Sequence, residues 1–195
     1  LARLVEGRGW KKEVGVGEAA FYGPKLDFMV KDVIGRQWQL STIQLDMNLP
    51  ERFELEYADS DGKAKRPVVI HRAILGSTER FMGILIEHYG GAFPMWLAPV
   101  QIRIATVSED FAPFAQKLKT ELSDAGVRVE LDSSDVKVGK KIRNSAMMKI
   151  PWTIVIGEKE TQGNAFEVNV FGQEKHLTIE QDQLVNEIQN ARKQK

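Results

Sequence analysis

Between Val68 and Gly91 the chain reads VVIHRAILGSTERFMGILIEHYGG, and His71, Arg72 and Arg80 are of types that ligate metals, bind anions or stack on planar groups. His71 closes an aliphatic run that reads as a buried strand. A histidine there is either a hydrogen-bonded core residue, the commoner case, or a ligand. A mononuclear zinc site needs at least three protein ligands, and the other histidines, His88 and His176, fall in different elements. Arg80 belongs to the first turn of the expected helix, where a cation meets the positive end of the macrodipole. A bound anionic or aromatic group would compensate, and so would a neighbouring carboxylate; Arg72 is open to the same two readings.

Three further segments carry polar chemistry. WQLSTIQLD puts Thr42 and Gln44 on one face of a strand, because side chains alternate with period two. Gln39 has the opposite parity and joins them only if a bulge intervenes. Such a face is either plain solvent exposure or the floor of a cleft. AFYGPKLDF sets Tyr22 before the turn signal Gly23-Pro24, which presents Lys25 at the start of a strand; a purely structural turn is the plainer reading. KVGKKIR carries Lys137, Lys140, Lys141 and Arg143 near a helix start, suited to phosphates or simply to a solvated helix face.

The elements that must hold these residues fall into two groups. PKLDFMVKD and RQWQLSTIQLD alternate as antiparallel strands, ADSDGKAK is a polar link, and RPVVIHRAI is a third strand. A helix capped by Ser77 follows, with Phe81, Ile84, Leu85 and His88 as its buried stripe, and ends at Gly90-Gly91. The aperiodic AFPMWLAPVQ marks a junction near Pro99, giving expected domains 1–98 and 99–195. Beyond it strands alternate with helices: IRIATV, DFAPFAQKLKTELSDAG, VRVELD, VGKKIRNSAMMKI and WTIVIG, then the strand AFEVNVFG and a closing helix. That succession predicts a mixed, mostly parallel α/β domain with right-handed crossovers.

Composition narrows the chemistry. Among 195 residues, 43% are hydrophobic, enough for a sizeable core, and 27 basic residues balance 27 acidic ones, so any polyanion contact is local. With no cysteine, disulfides and thiolate catalysis are excluded, as is any cysteine-ligated metal site within the chain itself. No apolar run reaches the roughly 20 residues that cross a bilayer, so the expectation is a cytoplasmic protein with no membrane partner. LARLVEGRGW reads as the tail of a helix, and the whole as an excerpt of something longer.

AFYGPKLDF, STIQLD, RPVVIHRAILGSTERFMGILIEHYGG, FPMWLAPVQ and VGKKIR, in this order, resemble the C-terminal part of the threonyl-tRNA synthetase family, within the class II aminoacyl-tRNA synthetases. GSTERFMGILIE is similar to their third signature motif. The resemblance implies part of an antiparallel class II catalytic sheet with its motif 3 helix, then an anticodon-binding domain. It implies that His71 is one of three zinc ligands, the zinc holding the amino and hydroxyl groups of threonine. Tyr22, Thr42 and Gln44 would line the threonine site, Gln39, Thr42, Ser77 and Arg80 would hold ATP with its Mg2+, and Lys25 with Arg80 would serve catalysis. Lys137, Arg143 and Glu160 would contact the anticodon of threonine tRNA. Asn169 and Phe171 stand where some relatives carry arginines, and Leu40 and Ser41 where many carry cysteine and glycine. The resemblance further implies a homodimer for the intact enzyme, and places the first two class II motifs and two zinc ligands before Leu1, so that this chain alone is expected to hold no zinc and form no threonyl-adenylate. Two other readings are a non-catalytic tRNA-binding module and a synthetase-like paralogue without charging activity.

Overall fold

The structure, a computed structural model, describes residues 1–193 and divides into two compact units, Leu1–His88 and Tyr89–Lys195. The divide falls ten residues before the junction expected near Pro99. Met95 explains the difference, because it is buried in the core of the second unit, and Gln101 donates from its side chain to the Met95 carbonyl at 2.8 Å.

The first unit opens with a short helix, α1 (Ala2–Glu6), and is built on β1 (Lys25–Lys31) and β2 (Gln37–Asp46). A short helix, α2 (Asn48–Arg52), and a small ribbon of β3 (Tyr57–Ala58) and β4 (Ala64–Lys65) lead to β5 (Val69–Ala73) and the helix α3 (Thr78–His88). The main sheet has the order β1-β2-β5, antiparallel throughout. Its register begins at the β1–β2 hairpin. There Asp32, whose side chain is 4% exposed, accepts the backbone N–H groups of Ile34 (3.1 Å) and Arg36 (2.8 Å), the Arg36 Nε–H (2.5 Å) and the Trp38 indole N–H (2.9 Å). Burial pushes its carboxyl up, but the bonds from Trp38 and Arg36 outweigh burial and bring the pKa down to about 2. The unfolded value is about 3.9. A depressed carboxyl pKa stabilises the fold above the unfolded value, and that stability is lost as pH falls through the folded one. The stability advantage of the native chain over Asp32→Asn is therefore expected to be full above about pH 4 and gone near pH 2, measured by urea denaturation across that window.

Two features of the first unit differ from the sequence reading. β5 is an exposed strand, with Ile70 61% exposed and Val68, just before it, 55% exposed, and α3 has no fully buried residue. Phe81, Ile84 and Leu85 do share a half-buried face, but His88 is exposed. The physical reason is that a three-stranded sheet and one helix of any length, α3, cannot enclose an apolar layer, and the other helices and the β3–β4 ribbon are too short to help: among the described residues the unit buries only Val5, Leu40 and Pro50 as apolar side chains.

The second unit has a complete core. Its strands are β6 (Ile102–Thr106), β7 (Val129–Asp132), β8 (Trp152–Ile156), β9 (Phe166–Val170) and β10 (Leu177–Ile179), in the order β10-β9-β8-β6-β7. β7, β6 and β8 run parallel, while β9 and β10 pair antiparallel, so the sheet is mixed and includes one strand beyond those read from the sequence. Helices α4 (Ala112–Asp124) and α5 (Val138–Met147) make the crossovers, α6 (Glu158–Thr161) follows β8, and α7 (Leu184–Lys193) closes the unit. Ile102, Ile104, Ile154, Ile156, Phe166 and Val168 form the sheet's contribution to the core, covered by Ala115, Leu118 and Leu122 of α4 and by Leu184 and Ile188 of α7. Those helix spacings are the ones an amphipathic period demands. No helix among the described residues is long and apolar enough to cross a membrane.

Candidate substrate and tRNA sites

The antiparallel register collects the polar residues of the first unit in rows. Lys25, Gln44 and His71 lie opposite one another across the three strands, and Asp27, Thr42 and Ala73 form the next row. Because residues two apart share a face, Lys25, Asp27, Thr42, Gln44, Asp46 and His71 all occupy one side of the sheet. Arg72 occupies the other side, with Ile43 as its partner in register.

Gln39 reaches the same side through a bulge. Phe28 pairs with Ser41 and Met29 with Gln39, so Leu40 is the additional residue, and it is buried. The shift reverses the parity of β2 at that point. Gln39 Nε2 consequently donates to Asp27 Oδ1 (2.7 Å) and to Thr42 Oγ1 (3.0 Å), while the Thr42 hydroxyl donates to Asp27 Oδ1 (2.8 Å). The Lys25 ammonium pairs with the other carboxylate oxygen of Asp27, a bond that holds its pKa above the ordinary lysine value.

One end of this face is an amino-acid-sized corner. The Tyr22 ring meets the His71 ring edge-on, centroids 5.7 Å apart, and Gln44 is buried beside them. Gly23 lets the Tyr22 loop lie directly on β2: its φ is +153°, and a Cβ there would come within 2.1 Å of the Leu45 carbonyl oxygen. His71 Nε2 lies 2.7 Å from Asp46 Oδ2. Burial raises the Asp46 pKa, but the His71 bond and backbone donors from Leu49 and Asn48 carry it below the usual carboxylate value.

The other end is a cationic corner. Ser77 Oγ accepts the Arg80 backbone N–H at 3.2 Å and so caps α3, as its position suggested, while its own proton goes to Glu79 (2.8 Å). Arg80 Nη2 donates to the Gln39 carbonyl at 2.9 Å. Gly76, at φ +68°, permits that approach, since a Cβ there would lie 2.8 Å from Arg80 Nη2 and 2.9 Å from the Leu40 carbonyl oxygen. Among the described residues no ion pair involves Arg80. From Gln44 to Gln39 is roughly 15 Å of strand at about 3.3 Å per residue, a length suited to a small molecule extended by a nucleotide.

Whether these residues suit a metal depends on the donors present. His71 with its carboxylate partner fits one ligand position of a zinc site, in the arrangement where a carboxylate orients the imidazole. Among the described residues no group of three or more histidine, aspartate or glutamate side chains could complete it.

In the second unit Lys137 is the N-cap residue of α5, after β7, and Glu160 lies in α6, after β8, so both line the carboxyl edge of the parallel strands, where open α/β sheets bind ligands. Glu160 Oε2 also accepts the Gly157 N–H at 2.8 Å. Arg143 is exposed six residues along α5, about 9 Å from that edge at 1.5 Å per residue. Lys141 leaves the expected basic face altogether: it is 1% exposed, and its Nζ donates to the Thr106 carbonyl (2.8 Å) and hydroxyl (3.2 Å). Lys137, Lys140 and Arg143 remain as the exposed cations of that run. Asn169 and Phe171 border a cleft of about 200 Å³ with Ile142, Ala146 and Thr153.

Sequence reasoning overlooked Asp27 and Asp46. The alternation that grouped Thr42 with Gln44 also carries Asp46, and the same period sets Asp27 beside Lys25, so the signal was present in KLDF and QLD.

Comparison with known proteins matches both units. The tRNA synthetase class II core domain (G, H, P, S and T) matches residues 4–89, and the anticodon binding domain matches residues 101–191. Threonine–tRNA ligase 2 of Bacillus subtilis is 47% identical over 194 residues, covering 97% of this chain and 30% of that protein. Threonine–tRNA ligase of Bacteroides fragilis is 51% identical over 173 residues, covering 89% and 27%. The crystal structure of the RNA binding domain of threonyl-tRNA synthetase from Cryptosporidium parvum superposes with a TM-score of 0.86 at 36% identity, covering 97% of this chain and 48% of that one. The chain thus spans under a third of the curated relatives' length. With both halves matched in order and a fold to agree, the chain belongs to the class II aminoacyl-tRNA synthetases, carrying a portion of their core domain and an anticodon-binding domain.

Proposed function

We propose that this chain is the C-terminal part of a threonine–tRNA ligase, which activates threonine with ATP and transfers it to threonine tRNA. The observation that carries the reading is the single polar face of the first unit, with His71 and Tyr22 at one end and Arg80 at the other. In the first step a threonine carboxylate oxygen forms a bond to the α-phosphorus, and the bond from that phosphorus to pyrophosphate breaks. In the second a terminal ribose hydroxyl of the tRNA attacks the threonyl carbonyl, and AMP leaves. Tyr22 and Gln44 orient the amino acid, Gln39 and Thr42 border the adenylate, Ser77 shapes the ATP end, and the cations Lys25 and Arg80 offset charge developing on phosphate oxygens. His71 would be this chain's ligand to zinc, which when bound supplies a Lewis acid for the amino and hydroxyl groups of threonine. Mg2+ would accompany ATP.

The many exposed apolar residues of the first unit, among them Ile70, Ile74, Met82 and Ile86, support the view that further core segments cover it in the complete enzyme, a cytoplasmic homodimer. By this reading the chain alone forms no adenylate. The second unit has its own core, and its carboxyl edge with Lys137 and Glu160 would take the anticodon bases, read by stacking and edge hydrogen bonds. Filter binding with this chain tests that half: threonine tRNA is expected to bind at least ~10-fold more tightly than the same tRNA with a substituted anticodon base, toward the lower end of the roughly 1–3 kcal/mol that one good base contact contributes. Equal binding would exclude anticodon recognition by this unit.

A further inference from the structure

Asp46 is fully buried at the end of β2, and both of its carboxylate oxygens are committed. Oδ1 accepts the backbone N–H groups of Asn48 and Leu49, each at 2.9 Å, which locks the carboxylate against the first turn of α2. Oδ2 faces His71 Nε2 at 2.7 Å. A single proton lies on that short line. The two backbone N–H groups donating to Oδ1 fit an ionised carboxylate, which has no proton of its own to give and so takes this one from the imidazole. The carboxylate is then an acceptor only, and Nε2–H is the donor. A neutral imidazole has one N–H, so Nδ1 keeps its lone pair.

We propose that Asp46 is a positioning residue that fixes His71 as the Nε2–H tautomer and turns the Nδ1 lone pair toward the ligand at the amino-acid end of the site. Three features bear on this. The His71 side chain is 45% exposed, so it has room for a ligand despite its buried partner. Tyr22 packs edge-on against the ring and restricts its rotation. The two backbone donors hold Asp46 in place whether or not a ligand is present, so the imidazole is oriented in advance and its ordering is not charged against binding. That a ligand meets Nδ1 rests on the assignment of this corner to threonine and its zinc; the tautomer does not.

The test begins with the tautomer itself. In this 195-residue chain labelled with 15N-histidine, two-bond proton–nitrogen correlation spectra separate the three imidazoles. His71→Ala assigns the signal. At a pH about two units above the ordinary histidine value of ~6.5, Nε2 is expected to appear as a protonated, pyrrole-type nitrogen and Nδ1 as an unprotonated, pyridine-type one. An Nδ1–H tautomer, averaged shifts from fast exchange between tautomers, or protonation of both nitrogens at that pH would overturn the proposal. Asp46→Asn separates positioning from capping, because Asn Oδ1 still accepts the Asn48 and Leu49 N–H groups while the amide no longer demands a proton from Nε2. The variant is expected to lose the tautomer preference with the α2 amide signals unchanged; a retained Nε2–H tautomer would overturn the proposal. Should Asp46→Asn fail to fold, the native spectrum decides alone. In the complete enzyme, chelator competition is expected to show zinc affinity reduced about 10–100-fold by Asp46→Asn. The predicted tautomer in a protein whose zinc and threonine binding ignore that substitution supports the role of Asp46 and sinks only the assignment of the corner.

Discussion

Replacing His71 with alanine in the complete enzyme is expected to cut the preference for threonine over valine by about 10²–10³-fold, read as the ratio of kcat/KM values in ATP–pyrophosphate exchange. Threonine and valine have nearly the same shape, and an apolar pocket separates such a pair poorly. A site whose polar groups require the substrate hydroxyl separates them by about 10⁴–10⁵, because the analogue leaves those groups unpaired. The corner formed by His71, Tyr22 and the buried Gln44 carries polar side chains, and the proposed function has them meet that hydroxyl. The loss should fall on threonine, with valine exchange little changed. If both substrates weaken equally, the imidazole does not face the substrate side chain.

Replacing Arg80 with alanine is expected to lower kcat/KM for ATP in the same exchange by about 10²–10³-fold, the range for removing one preorganised group that meets developing charge. Arg80 is held by the Gln39 carbonyl and Gly76 lets it sit there, yet among the described residues it has no carboxylate partner. A guanidinium so placed, in the first turn of α3, is positioned without being neutralised. Lysine is expected to rescue little, since its point charge cannot keep the planar, forked geometry. Unfolding of the Arg80→Ala chain should match that of the native chain, because the lost bond is exposed. A near-native kcat/KM would remove Arg80 from the ATP site.

Much of this was legible in the sequence for a simple reason: period-two alternation is a local property. Thr42 with Gln44, and Lys25 at its strand start, follow from counting residues, and Ser77 followed from cap chemistry. The second unit was equally readable, since its strands and helices alternate in both hydrophobicity and order. Burial in the first unit was misjudged because aliphatic strands such as PVVI promise a covering layer, and among the described residues none covers β5.

What the sequence settled by itself is the inventory: which polar residues exist, which strand faces they share, and where the fold changes from antiparallel strands to alternating strands and helices. The tertiary structure decided the rest. The bulge at Leu40 carried Gln39 across to the site, the register set His71 beside Gln44 and Asp46 beside its imidazole, and the packing of α5 buried Lys141 on Thr106. Each depends on a pairing between residues distant along the chain, and the energy of such a pairing is set by which partner arrives, not by the residues next to it.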